Sequence, residues 1–126
     1  MKERIQTDKA PGAIGPYSQG MKVGDLIFFS GQIPLDPKTG EMPAGIEAQT
    51  KQSLENVKGL LESQGLSFAD VVKTTVYLDS MDDFGTMNDI YATYFVEPYP
   101  ARSAVEVAKL PKGALVEVEV IAYTGK

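Results

Sequence analysis

Residues 71–78 read Val71-Val-Lys-Thr-Thr-Val-Tyr-Leu78, a β-branched run of strand length, and its neighbours on either side decide the fold. Before it, Ile46, Leu54, Val57, Leu60 and Leu61 fall on one face of a helix predicted from Ile46 to Gln64, with Gly65 as its C′ stop. After it, Phe84, Met87, Ile90, Tyr91, Tyr94 and Phe95 form the stripe of a second helix. Ser80 reads as the N-cap of that helix, and Asp83 as the N3 partner in a capping box. Farther out, residues 1–7 alternate weakly enough for a short edge strand, and Ala10–Pro16 is too rich in Gly and Pro for regular structure. Residues 17–33 suit a hairpin turning at Gly24-Asp25, followed by a loop from Pro34 to about Pro43. Two strands, Ala101–Ala108 and Leu115–Tyr123, close the chain around Lys109–Gly113. The order β, ββ, α, β, α, ββ predicts one α+β domain over residues 1–126, a mixed sheet with both helices on one face.

Composition narrows the chemistry. The 126 residues are 43% hydrophobic and 23% charged, as in an ordinary globular domain with a core of its own. There is no cysteine, which removes disulfides, thiolate zinc sites and thiol nucleophiles together. There is no histidine either, so the Ser-His-Asp triad and the usual near-neutral base are excluded. Catalysis is left to carboxylates, hydroxyls, Tyr, Lys, Arg, backbone dipoles and water. The net charge of -5 without a basic run argues against nucleic acid and against a membrane surface as partners. The first residues, MKERIQTDKAPG, lack a signal-peptide core, and the expectation is a cytoplasmic protein. No glycine-rich phosphate loop opens a helix and no lysine is core-placed, so no cofactor and no Schiff-base intermediate are expected.

The last two strands carry a further message. In Ser103–Val107 and Val116–Val120 every second residue suits a core, while the other parity holds Arg102, Ala104 and Glu106, and Glu117 and Glu119. Two helices cover only one face of a sheet. The second face is therefore wet or packed on another copy, and charges interleaved with Ala, Thr and aromatics favour a symmetric oligomer.

Only two of the twelve basic residues are arginines, and Arg102 begins a segment that reads as a buried strand. A guanidinium there suits a planar carboxylate, which belongs either to a ligand or to a structural ion pair with Glu106, Glu117 or a neighbouring copy. The residues alone leave that choice open. Glu117 reads equally as a solvent-side strand residue or as a carboxylate that orients water. Tyr17, fixed by Gly15-Pro16, reads first as a packing aromatic with its hydroxyl at the surface. Asn88 stands on or beside the apolar stripe of the second helix, where an amide needs partners, and Gly31 reads as a pocket wall or a strand bulge.

Three segments together resemble the RidA family, also called YjgF/YER057c/UK114: Ala13-Ile-Gly-Pro-Tyr-Ser-Gln-Gly20, Phe29-Ser-Gly-Gln-Ile-Pro34, and Pro100-Ala-Arg-Ser-Ala-Val-Glu-Val-Ala-Lys-Leu-Pro111 followed by Val116-Glu-Val118. Asn56-Val57, Asp83-Phe84 and Met87-Asn88 extend the likeness along essentially the whole chain. The resemblance implies a chorismate-mutase-like fold, assembled as a homotrimer with sites between subunits. It also implies hydrolysis of 2-imino acids such as 2-iminobutanoate and 2-iminopropanoate to 2-keto acids and ammonia. By position it makes Arg102 the carboxylate anchor, Glu117 the holder of the water, Tyr17 and Asn88 pocket residues, and Ser30-Gly31 the pocket wall. Many members carry Cys after the Arg-Ser pair; here Ala104 stands in its place and keeps only the backbone groups for substrate. The loop before Pro100 is also shorter than in some relatives.

Overall fold

The structure, a computed structural model, describes residues 1–125. Its elements are β1 (Lys2–Ile5), β2 (Gly20–Val23), β3 (Leu26–Phe29), α1 (Ile46–Ser63), β4 (Val71–Leu78), α2 (Phe84–Tyr94), β5 (Ala101–Glu106) and β6 (Val116–Tyr123). They form one six-stranded sheet in the order β1-β2-β3-β6-β4-β5. Only β4 and β5 run parallel, because α2 carries the chain back between them. The expected α+β architecture, two helices on a mixed sheet, is what forms.

Sequence pattern explains the centre of the sheet. Val116, Val118, Val120 and Ala122 of β6, with Thr74, Val76 and Leu78 of β4, lose nearly all contact with solvent. Leu54, Val57, Leu60 and Leu61 of α1 and Met87, Ile90 and Tyr91 of α2 join them in one core. Each fully buried aliphatic side chain here stabilises the fold by roughly 1.5–3 kcal/mol relative to exposure. At the end of α1, Gly65 has φ 70° and its N–H returns to the Glu62 carbonyl, the stop its position suggested. The turn at Gly24-Asp25 closes β2 on β3 with Val23 opposite Leu26, and β1 is the expected edge strand.

Several expectations need correction. The hairpin is shorter than residues 17–33: β2 starts at Gly20 and β3 stops at Phe29. Between the pairs Phe28–Ile121 and Gln32–Val118 the chain advances four residues on one side and three on the other. The extra residue is a bulge at Ser30-Gly31, which breaks the ladder. Ser80 does cap, but it accepts from the Asp82 N–H of a short 3₁₀ turn, Met81–Asp83, that precedes α2, and no capping box with Asp83 forms. The capping box that exists is Ser67 with Asp70, before β4. Phe95 lies just past the end of α2 rather than within it.

The largest correction concerns β5, which is the exposed sheet edge and not a buried strand. Its parity is also opposite to that expected. Register pairs Arg102, Ala104 and Glu106 with the buried Thr74, Val76 and Leu78, so that set faces the helices. Ser103 and Val105 pair with Thr75 and Tyr77 on the other face, and Val105 remains 42% exposed. Ala104 packs on the core from the helix side. In an edge strand of Ala, Val, Ser and Arg, hydrophobicity alone carries little information about which side is inward, and the parallel register to β4 decides.

Candidate active site

Arg102 stands on the helix side of β5, over α2. One guanidinium nitrogen, Nη1, donates to the Asn88 Oδ1 at 2.6 Å. The guanidinium carbon lies 4.8 Å from the Tyr91 ring centre and 5.4 Å from that of Phe84. Tyr91 is itself held from behind: its hydroxyl and that of Thr74, fully buried and registered opposite Arg102, are 2.8 Å apart. Burial raises the Tyr91 hydroxyl pKa, with Thr74 and Arg102 opposing that shift. Phe84, Asn88 and Tyr91 recur at three- and four-residue spacing, so one stripe of α2 makes the whole seat.

Among the described residues no carboxylate pairs with Arg102, and Glu106, the neighbour most suited to do so, accepts from the Met81 N–H instead. The guanidinium is oriented by an amide and two rings, none of which neutralises it. Beside it opens a hollow of about 480 Å³ lined by Asn88, Tyr91, Ala92, Tyr99, Pro100 and Arg102. Asn88 thus positions an arginine carried on a strand.

Glu117 lies on the opposite face. Its β6 neighbours Val116 and Val118 point into the core, and it pairs across the ladder with Tyr77. The bulge brings Gly31 over its carboxylate: a Cβ at Gly31 would collide with Glu117 Oε2 and stand 2.9 Å from Cδ. Burial first, and then the nearby Glu119 carboxylate, raise the Glu117 pKa above its ordinary value. Tyr77 approaches Glu119 at 3.5 Å, and its own pKa is raised by burial and then by Glu119 and Glu117. A second hollow, of about 490 Å³, is lined by Tyr17, Ser30, Gly31, Ile33, Leu35 and Glu117, among others. Tyr17 is 53% exposed at its rim. The Ser30 hydroxyl donates to the Ser18 carbonyl at 2.6 Å and its N–H to the Gln19 carbonyl at 2.9 Å, joining wall to rim.

The residues singled out in the sequence therefore fall into two groups. Arg102, Asn88 and Ala104 are on the helix side at the β5 edge, and Tyr17, Ser30, Gly31 and Glu117 are on the other side. A single chain does not bring Arg102 and Glu117 together. Two supporting residues went unremarked as such. Buried Gln19 anchors the loop before Tyr17, and buried Asn56 donates to the carbonyls of Ile33 and Leu35 at 3.2 and 2.8 Å, holding the far wall. The signal for Asn56 was an amide three residues before Gly59 and four before Leu60 on the apolar stripe of α1.

An α+β chain whose two helices lie on one face of a mixed six-stranded sheet, with an arginine and a glutamate set on opposite faces, is the class these observations define. Residues 7–124 match the family model described as Endoribonuclease L-PSP, and the chain belongs to that family, the YjgF/RidA family. It is 58% identical over 124 residues to a RutC family protein of Pyrococcus horikoshii, covering 98% of each chain. It is 52% identical over 125 residues to an Escherichia coli protein named 2-iminobutanoate/2-iminopropanoate deaminase, covering 97% of this chain and 98% of that one. Among solved structures, Escherichia coli TdcF with bound serine superposes with a TM-score of 0.91 at 46% identity, over 96% of this chain and 98% of that one. Among the described residues no helix is long and apolar enough to cross a membrane.

Proposed function

We propose that this protein hydrolyses small 2-imino acids, 2-iminobutanoate and 2-iminopropanoate among them, to 2-keto acids and ammonia, at sites shared between neighbouring copies in a homotrimer. The observation that carries the reading is the guanidinium of Arg102, held by Asn88 and two rings, unpaired with any described carboxylate and open to a hollow. A planar fork of donors in that state suits a small acid from solvent. The relatives support the chemistry: one at 52% identity is named as such a deaminase, and TdcF binds an amino acid in its solved structure.

Arg102 of one copy takes the substrate carboxylate, Ala104 offers backbone groups beside it, and the Tyr17, Ser30, Gly31 and Glu117 half comes from the next copy. Glu117, ionised, orients a water and accepts its proton as oxygen bonds to the imine carbon and the C=N π pair moves to nitrogen. The nitrogen takes that proton back from Glu117 to complete the carbinolamine; Glu117 then takes the hydroxyl proton and hands it to nitrogen, the C–N bond breaks, and ammonia leaves as the oxygen becomes the keto C=O. One water is consumed and nothing is oxidised, so the step calls for no cofactor. Because free imines already hydrolyse in water, positioning is the main contribution required.

The test is a coupled assay in which a pyridoxal-phosphate dehydratase acts on threonine and imine decay is followed with and without this protein. Wild type should accelerate the decay, and Arg102→Ala should abolish the acceleration while the assembly and melting profile persist. Full activity in Arg102→Ala would refute the role of the arginine, and binding of 2-ketobutanoate without acceleration would refute catalysis.

A further inference from the structure

The loop that carries Tyr17 has almost nothing of its own to hold it. Pro11 and Pro16 have no N–H, Gly12 and Gly15 leave the backbone free, and the strand ladder ends at the Ile5–Gly20 pair. The Ser30 hydroxyl holds the loop's end at the Ser18 carbonyl, and Gln19, which is 3% exposed, ties down the rest. Its Oε1 accepts from the Thr7 N–H at 2.7 Å, and its Nε2 donates to the Thr7 carbonyl at 3.0 Å, so the side chain stands in for one rung of a β-ladder. The same Nε2 reaches the carbonyls of Pro11 at 2.8 Å and Ala10 at 3.3 Å. Among the described residues, the hydrogen bonds joining residues 7–17 to the rest of the fold run through this one amide. Two packing contacts complete the seat: Ala10 is buried in the core, and the Lys9 carbonyl lies against Gly59 of α1, where any Cβ would collide with it.

We infer that Gln19 is a positioning residue, an amide clamp that sets the loop of residues 7–18 and so fixes Tyr17 at the rim of the Glu117 hollow. Gln19 also lines the Glu117 hollow, but its amide is spent on the backbone of this loop, and it acts through Tyr17. The inference rests on the proposed function only for its catalytic consequence; the clamp itself is a statement about the loop. Gln19→Met keeps the bulk and the backbone bond from Ser30 but removes every side-chain hydrogen bond. Because misplacement by about 1 Å can cost about 10²-fold, kcat/KM should fall by tenfold or more.

The decisive experiment combines amide hydrogen exchange with a double-substitution cycle. In Gln19→Met, amides of residues 7–18 should exchange faster while β4 and β6 keep their protection. The Gln19→Met/Tyr17→Ala pair should be no less active than Tyr17→Ala alone. Unchanged protection of the loop, or an activity loss in the pair equal to the product of the two single losses, would overturn the clamp. Should Gln19→Met fail to fold, Gln19→Glu supplies the second arm. Its carboxylate repels three carbonyl oxygens at neutral pH and regains a donor when protonated, so loop protection should return as the pH is lowered. Protection independent of pH would count against the inference. If wild type accelerates no imine hydrolysis, the functional proposal fails while the exchange arm still judges the clamp.

Discussion

Gly31→Ala separates the geometry of Glu117 from the stability of the fold. Gly31 does not use the left-handed backbone region, so alanine can adopt its conformation without strain. All the consequence comes from the added Cβ, which would stand 2.9 Å from Glu117 Cδ and 3.2 Å from Cγ, with Oε2 nearer still. Ordinary van der Waals contact begins at 3.4 Å, so the whole carboxylate must swing aside. Glu117 is a long side chain only half enclosed, so the fold can yield at a cost of about 1–2 kcal/mol, at the mild end of overpacking. The site has no such latitude, because displacing a water-orienting group by about 1 Å lowers the rate by roughly 10–10²-fold. Steady-state imine hydrolysis and a thermal melt, run on the same preparation, read the two effects separately. Wild-type kcat/KM in Gly31→Ala would show that the position of this carboxylate is unimportant and would refute the reasoning. A collapse of the melt would show instead that the bulge carries the fold.

Two further expectations concern Glu117 and the Thr74–Tyr91 pair behind Arg102. The pKa of Glu117 is raised in the folded chain, so the folded state holds its proton more tightly than the unfolded one and stability falls as pH rises through that window. Glu117→Gln should therefore melt higher than wild type at neutral pH and lose the advantage in acid, while imine hydrolysis in wild type falls as acid protonates the carboxylate; parallel melting curves at all pH values would contradict this. Thr74→Val keeps the shape of a fully buried residue but strips the Tyr91 hydroxyl of its partner, which should cost about 1–3 kcal/mol, or several degrees of melting temperature. Adding Tyr91→Phe should recover part of that loss, and a double variant weaker than Thr74→Val would contradict the pairing.

Period and turn chemistry made the interior legible before any coordinates. Two amphipathic helices, the β-branched run of β4 and the alternation of β6 left little freedom, and Gly24-Asp25 and Gly65 marked their stops by backbone demand. The edge was different. In Ala101–Glu106 no residue is fully buried, so hydrophobicity did not specify parity, and the sequence-based reading turned Val105 inward and Arg102 away from the helices. Register to β4, a long-range pairing, sets it otherwise. The bulge at Ser30-Gly31 depends in the same way on β6, which follows more than eighty residues later. The site residues themselves came from the likeness of three segments to a family, since an exposed tyrosine and a strand glutamate announce nothing alone. Neither route showed that Arg102 and Glu117 stand on opposite faces, because which side of a sheet a strand presents is a property of the assembled sheet.

That separation gives the central claim its most direct measurement. If one copy supplies Arg102 and the next supplies Glu117, then Arg102→Ala and Glu117→Gln chains, each inactive alone, rebuild intact sites wherever they meet in the right order. Random co-assembly at equal amounts in a cyclic oligomer restores about one quarter of wild-type activity, half of the arginine positions being intact times half of the glutamate positions. The expected result is that recovery after mixing, unfolding and refolding the two variants together. Mixed oligomers that form and remain as inactive as either parent would contradict a site shared between copies.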